Sequence, residues 1–449
     1  MKFNRLCRRG AVSLLFAALS LTAAAQVLPE LPTLTPASLS LKDALRIASA
    51  NNLTLTQAQA DADSASAAAR SAQAQTKPSL STTTYVATGD SANILTTSPG
   101  VLPQNIFTVS PHGFADQNLM LMVPLSTGGR LQNAVTVARK QGEAAQLSVE
   151  ASRLTVTETV TEDYATALLQ QSLVEVAQSR LTAEEEQVRV TQEKASAWRS
   201  APVDLRREQA EQADARQALL AAQNGAALAL ITLKTALGVS QASNVTLSDT
   251  LDGLSELAQP LPATLQDALI QAEANRPELA SAQKQIDAAQ AGISGAKSAY
   301  APQVYGIAMG DATAGQGSGR AGYTFGLTAS LPLFDGGQRQ AETEGARARL
   351  KRAQATALQT RQSVDQQVAS AWLTIQTATA QVQAATIGVT AAQESYSLAN
   401  LRYNAGKSVT AERLDSLFAL TRARGTLAQA KAGLVIAHAT LQAALGGSM

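Results

Sequence analysis

Cysteine is almost missing from this chain: among 449 residues only Cys7 carries a thiol. It sits in a segment with Lys2, Arg5, Arg8 and Arg9, followed by an apolar run from Ala11 to Ala23 and by Ala23-Ala24-Ala25 before Gln26. That order reads as a secretory signal peptide, residues 1–25, cleaved after Ala25. The mature chain then has no disulfide, no thiolate metal site and no lipid-bearing N-terminal cysteine. Histidine is nearly as scarce. His112 and His438 fall in different elements, which excludes a zinc pair and a catalytic triad and leaves both as lone surface residues. Charge is low at 16%, and 36 basic against 35 acidic residues are spread along the chain. No basic stripe forms, so nucleic acid is excluded as a partner. Beyond residue 25 no run approaches the roughly 20 apolar residues of a membrane-crossing helix. Any membrane crossing must therefore use strands of a closed barrel.

What the chain has in abundance is Ala and Gln, the composition of long helices packed through small side chains. It also repeats itself. Leu41-Lys42-Asp43-Ala44-Leu45 matches Leu265-Gln266-Asp267-Ala268-Leu269, Asn51 matches Asn275 and Pro78 matches Pro302, at a separation of 224 (302 − 78). Farther on, Pro124 matches Pro332, Gly128-Gly129 matches Gly336-Gly337, Tyr164 matches Trp372 and Ala236-Leu237-Gly238 matches Ala444-Leu445-Gly446, at 208 (332 − 124). The first copy is thus 16 residues longer (224 − 208), all of them between Pro78 and Pro124. A length change confined to one segment marks an exposed loop. The copies span residues 26–240 and 263–449, joined by a linker, 241–262, that holds Pro260 and Pro262. Each reads as helix, two strands, very long helix, tight turn and return helix. Residues 26–38 form a Pro-containing leader without periodicity.

The long helices carry heptads. Val368, Ile375, Val382, Val389, Tyr396 and Tyr403 recur every seventh residue, with Val364, Ala371, Ala378, Ala385, Ala392 and Ala399 in a column four positions earlier. In the first copy Val160, Ala167, Val174, Leu181 and Val188 match, although Asp163 and Gln170 interrupt the companion column. Leu420, Leu427, Leu434 and Leu441 continue the spacing after the second turn. From Gly128 to Trp198 the spacing predicts about 105 Å of helix. The return helix covers only half of that. The helix over 41–76 has the length to stack end to end with it along the long one.

Strands are expected near 79–89, 113–125, 303–310 and 322–331. In the last, Tyr323, Phe325, Leu327, Ala329 and Leu331 alternate with Thr324, Gly326, Thr328 and Ser330. Apolar-out, polar-in alternation suits a membrane barrel wall, and a soluble sheet alternates in the same way. The signal peptide and the lack of any core to cover the apolar face favour the membrane. Four strands cannot close a barrel that needs about eight, so the barrel must be shared between chains.

These features resemble the TolC-like outer-membrane efflux protein family (outer membrane factors) over nearly all of the mature chain. The resemblance is carried by Asn51 and Asn275, Pro78 and Pro302, Pro124-Leu125-Ser126-Thr127-Gly128-Gly129, Pro332-Leu333-Phe334-Asp335-Gly336-Gly337-Gln338-Arg339, and Arg402-Tyr403-Asn404-Ala405-Gly406, in duplicated order. It implies a mainly α fold with a membrane β-barrel: a long antiparallel coiled-coil α-helical barrel plus a 12-stranded β-barrel to which each of three chains gives four strands. It further implies a homotrimer in outer membrane lipid, acting as the passive exit duct of a tripartite efflux or type I secretion system. A periplasmic adaptor (membrane fusion protein) and an inner-membrane transporter would dock at the turns near 197–202 and 405–410. No cofactor and no metal are implied, and no enzymatic activity.

By the same resemblance Tyr403, Glu412 and Asp415 match the aromatic and paired acidic positions of the family's entrance constriction, and Asp204 matches the first-copy acid. Read from spacing alone, Asp204 and Glu412 also suit the positive end of a helix dipole. The turns offer Trp198, Arg199, Ser200, Gly406, Lys407 and Ser408 to an adaptor. Ser200 and Ser408, equivalent at 208, suit helix N-caps. The chain departs from the family pattern at Ser408, where a basic residue is common, and at Trp198, which stands where the equivalent of Gly406 is expected. Gly317-Ser318-Gly319-Arg320-Ala321-Gly322 lies between strands and opens no helix, so it is an external hairpin rather than a nucleotide loop. A periplasmic coiled-coil scaffold or adaptor would also explain the heptads, but not the twice-repeated hairpin and strands.

Overall fold

A computed structural model of the chain describes residues 31–34, 37–87, 93–96, 104–108, 114–196, 202–256, 262–315 and 320–447. The elements run β1 (Ala37–Leu39), α1 (Leu41–Asn51), α2 (Leu53–Ala74), β2 (Ser79–Ala87), β3 (Asn93–Thr96), β4 (Gln104–Thr108), β5 (Phe114–Ser126), α3 (Arg130–Ser196) and α4 (Pro202–Ala236). They continue with β6 (Val245–Leu247), α5 (Leu251–Glu256), α6 (Leu265–Asn275), α7 (Pro277–Lys297), β7 (Gln303–Gly315), β8 (Arg320–Ser330), α8 (Gln338–Asn404) and α9 (Thr410–Ala444). The signal peptide lies outside the described residues.

The long helices α3 and α8 have 67 residues each and the return helices α4 and α9 have 35 each. At 1.5 Å per residue each long helix is about 100 Å. Their heptad columns face inward: Val364, Val368, Ala371, Ile375 and Ala378 are buried, as are Val160, Ala167 and Leu181. Gln170, which interrupts the first copy's companion column, is met by Gly225 on α4, where an added Cβ would lie 2.8 Å from the Gln170 side chain. In the half near the sheet the helices lie side by side in the order α2, α3, α7, α8; in the far half the order is α4, α3, α9, α8. The short helices thus stack end to end along the long ones.

The joint between stacked helices explains two of the repeated motifs at once. Gly238, at φ 68°, ends the first return helix against α1; a Cβ there would fall 2.2 Å from the Asn51 carbonyl oxygen. Gly446, at φ 77°, meets Asn275 in the same way. Only glycine tolerates both the left-handed backbone and the contact. The sequence predicts one helix over 41–76, but the chain turns at Asn52, whose side chain caps α2 and donates to Ala236 O at 2.7 Å. In the second copy Arg276 takes this place and donates to Ala443 O at 2.8 Å.

Two further expectations are corrected. The leader is not wholly irregular: β1 pairs in parallel with β6 of the linker, and Leu34 N donates to Ser243 Oγ. Tyr164, fully buried, donates to Leu39 O at 2.7 Å and lies 3.0 Å from Asp249, tying this strand pair to α3. And among the described residues one helix, α4, is long and apolar enough by composition to cross a membrane. It packs along α3 and leaves Leu220, Leu228 and Ile231 exposed, the mark of a face that lacks a partner.

The main sheet is antiparallel in the order β2–β5–β7–β8. β7 runs to Gly315 rather than ending at Gly310, and the extra 16 residues of the first copy include a small β3–β4 hairpin. Register assigns the faces. Phe325 pairs with Ala308, which pairs with Leu121, which pairs with Leu80. Directly paired residues point to the same side. On this side Tyr323, Phe325 and Leu327 are 80%, 74% and 73% exposed, and the Tyr323 and Phe325 rings lie 5.7 Å apart. The opposite side carries Ser81, Thr83, Asn118, Asp311, Thr324 and Thr328.

Candidate functional site

Opposite the sheet lies the far end of the helices, where α3 gives way to α4 and α8 to α9 and where two turns were expected. In the second, Gly406 at φ 71° lets Gly406 N donate to Tyr403 O at 3.0 Å and Lys407 N to Arg402 O at 2.8 Å. This double bond pattern is a Schellman cap, which accounts for the Arg402-Tyr403-Asn404-Ala405-Gly406 motif. The expected N-cap is corrected: Val409, not Ser408, occupies the capping position of α9. Ser408 Oγ instead donates to Glu412 Oε2 at 2.6 Å, and Arg402 lies 3.5 Å from Glu412 Oε1. Residues 197–201 of the first turn, with Trp198, Arg199 and Ser200, lie outside the described residues.

The four constriction candidates divide into two groups. Glu412 and Asp415 lie three residues apart on one face of α9, and both are exposed. Tyr403 is half-buried on the other side of that turn, with its hydroxyl accepting from Gln187 Nε2 at 3.1 Å and the Lys194 ammonium 4.9 Å from its ring centre. Asp204, in the first turn of α4, is half-buried and raises the pKa of Glu208 by its charge.

Between these groups lies a cluster absent from the candidates. Arg413 on α9 is 1% exposed, and Glu184 on α3 and Glu208 on α4 are fully buried. Arg413 Nη2 donates to Glu208 Oε2 at 2.8 Å and to Glu184 Oε2 at 3.4 Å. The Arg413 guanidinium also approaches the Tyr403 ring to 5.8 Å. Two carboxylates thus share one cation across three helices. Burial pushes both carboxyls above the usual range; Arg413 opposes this, and each acid is also raised by neighbouring carboxylates, Glu184 by Glu208 and Glu208 by Glu211 and Asp204. Glu184 Oε1, Glu208 Oε1 and Arg413 Nε find no hydrogen-bond partner among the described residues. Such a cluster is a weak net stabiliser, yet removal of one member costs about 3–5 kcal/mol because it strands a buried charge. Beside it, Arg180 reaches Glu211 at 3.4 Å and stacks over Phe418 at 4.6 Å, joining the same three helices.

The heptads contain a signal for this cluster. Arg413 stands seven residues before Leu420 in the leucine column, and Glu184 stands seven after Ala177 in the column that Asp163 and Gln170 interrupt. Glu208 precedes Ala215, itself buried, by seven. A charge at a core position of a coiled coil specifies register at a cost in stability. His438 is corrected as well: it is half-buried, and desolvation lowers its pKa. No group of three or more His, Cys, Asp or Glu suited to a metal occurs among the described residues.

Comparison with known proteins places this geometry. The sequence pattern of a family described as outer membrane efflux protein matches residues 44–239 and 268–447, which is most of both copies. A comparison with curated protein sequences finds no match. Among solved structures the chain is similar to CusC, which forms a transmembrane channel, with 22% identity and a TM-score of 0.75 over 91% of this chain and 92% of that one. It is similar to the outer membrane protein VceC of Vibrio cholerae, with 19% identity and a TM-score of 0.71 over 91% and 96%. The open state of the MtrE outer membrane channel of Neisseria gonorrhoeae gives 21% identity and a TM-score of 0.73 over 91% and 89%.

Proposed function

Since the chain belongs to the outer membrane efflux protein family, we propose that three copies assemble into one continuous exit duct across the outer membrane and periplasm. The observation that carries this reading is the sheet: two-faced and, among the described residues, four strands wide and open at both edges. Its strands alternate in direction, so β8 of one copy meets β2 of the next antiparallel, and the ladder can continue around a ring. The helices have the same two edges. Among the described residues α8 lacks a neighbour on one side, and α2 and α4 lack one on the other, so the contact is head to tail and closes as a ring. Three such sheets supply about 12 strands, within the range of membrane barrels. The apolar face then lies in lipid and the polar face lines the duct.

Conduction through such a duct is passive and needs no cofactor. The energy comes from an inner-membrane transporter, and a periplasmic adaptor engages the hairpin turns with Gly406, Lys407 and Ser408 in one and Trp198, Arg199 and Ser200 in the other. At the entrance, Glu412 and Asp415 from each copy form a ring of carboxylates that favours cations, with Tyr403 and Asp204 behind it. Heat-modifiable trimers in outer membrane fractions and cation-selective pores in planar bilayers are the expected results. A mature chain that stays monomeric and soluble without detergent overturns the duct. Unchanged selectivity in Glu412→Ala/Asp415→Ala removes these residues from the entrance.

A further inference from the structure

The chain has five methionines, two of which are its terminal residues Met1 and Met449. The other three, Met120, Met122 and Met309, all lie in the main sheet, and register places them in one patch. Met120 pairs directly with Met309 across β5 and β7, and Met122 follows Met120 by two residues on the same side. That side is opposite to the one bearing Tyr323, Phe325 and Leu327, because Met309 pairs with Thr324 and the aromatic residues alternate with it. All three methionines are half-buried.

An apolar patch, to which Ile307, paired with Met122, also belongs, is out of place on this face, whose remaining residues are mostly hydroxyl, amide and carboxylate groups, when the opposite face is the one suited to lipid. Packing within a core does not explain it, since no second layer covers the sheet among the described residues. The side-chain chemistry gives another reason for the grouping. Directly paired Cβ atoms are about 4.5–5.5 Å apart and residues two along a strand about 7 Å apart. Unbranched methionine side chains with three rotatable bonds bridge such gaps, so three sulfur atoms can converge on one point.

We propose that Met120, Met122 and Met309 form a thioether site for a soft monovalent cation, Cu(I) or Ag(I), on the inner wall of the duct. Neutral thioethers favour these ions over Zn(II), Mg(II) or Ca(II), which take nitrogen, oxygen or thiolate donors. Because the donors carry no charge, they hold the ion without trapping it, as a conduction path requires. Asp311 lies two residues from Met309 on the same face and adds a negative field beside the sulfur atoms. The site rests on the duct reading only in that this face becomes the channel wall.

The test uses full-length protein purified in detergent, titrated with silver nitrate in chloride-free and thiol-free buffer and followed by equilibrium dialysis. About one Ag(I) per chain is expected, with no competition from excess Zn(II), and a sulfur-only first shell by X-ray absorption. Met120→Leu/Met309→Leu, which preserves volume and apolar character, should weaken binding at least about tenfold while the heat-modifiable trimer is retained; if that double variant fails to assemble, Met122→Leu alone provides the comparison. Equal silver binding by wild type and variant, or none by wild type, overturns the site. Conductance of the same preparation in planar bilayers separates the two ideas. A conducting pore that ignores silver removes the site and keeps the duct, whereas a protein that binds silver but never conducts keeps the site and removes the duct.

Discussion

The two copies of the repeat have nearly the same elements but different surroundings. α3 and α8 are equal in length, yet sixteen residues of α3 are buried and only eight of α8. Ala165 on α3 is wholly covered, while its counterpart at 208, Leu373 on α8, is 58% exposed. Leu373 begins a column that continues through Ala380, Ile387, Glu394 and Leu401, a second seven-residue seam on the uncovered side of α8. The same holds at the sheet end. A Cβ on Gly128 would fall 2.3 Å from the Ala301 Cβ, whereas one on Gly336 meets nothing within 4 Å among the described residues. Gly128 and Gly336 both have positive φ, so the backbone is alike and only the neighbour is missing. The difference shows that α3 sits in the middle of a layer and α8 at its edge, although their sequences ask for the same environment.

The largest effect is expected from breaking the edge of the second copy. Leu373→Glu/Ile387→Glu places charges on the uncovered seam of α8, where burial in an assembly costs several kcal/mol. The unassembled chain should fold with unchanged helical content while the trimer is lost on semi-native electrophoresis; a normal trimer would mean that this seam faces water. Next comes Arg413→Ala, which strands two buried carboxylates and should destabilise the junction of the two helical hairpins by about 3–5 kcal/mol in thermal or denaturant unfolding. Glu184→Gln/Glu208→Gln/Arg413→Met removes every charge and should recover most of that loss, which separates charge stranding from lost packing.

A smaller effect sharpens the comparison at the glycines. Ala at Gly336 should cost the unassembled chain only the left-handed backbone penalty of about 1–2 kcal/mol, while Ala at Gly128 adds the clash with Ala301. If a sister chain fills the gap, trimer dissociation should be equally sensitive to both substitutions. The smallest effect concerns pH. Glu184 and Glu208 have carboxyls raised above the ordinary value of 4.5. A raised folded-state value means that their contribution is complete below the unfolded pKa and is lost as pH rises through the folded one. Amide protection near Glu184, corrected for intrinsic exchange, should therefore rise as pH falls from neutral towards 4.5, and flatten in Glu184→Gln.

Much of this architecture was legible in the sequence because the repeat could be measured against itself. The paired prolines and the heptad columns each correspond to an element that exists in duplicate, and the register change from 224 to 208 marks the β3–β4 pair, described in the first copy alone. What escaped was local or depended on contacts between distant segments. The break at Asn52 is set by a bond to Ala236 O, 184 residues away, and no periodicity reports that. The pairing of β1 with β6 unites two stretches too short and irregular to show a pattern. The Arg413 cluster was visible as three polar interruptions of heptad columns, but columns on separate helices do not say which interruptions meet. Of the entrance candidates, Tyr403 and Asp204 lie beside that cluster, while Glu412 and Asp415 lie on the open face of α9.

The Arg413 junction also separates two kinds of groove. Shifting its members by 208 gives Ala392, Ser416 and Leu205, an uncharged set. The joint between the hairpins of one chain is thus fastened by buried ions, and in the proposed ring the joint between a hairpin and the following chain would be left without them. Each half therefore holds the complement of the other's rim but not of its own fastening. In the proposed assembly a gene truncated to one half would have to close as a ring of six, carrying at each joint either the two acids without the arginine or the arginine without the acids.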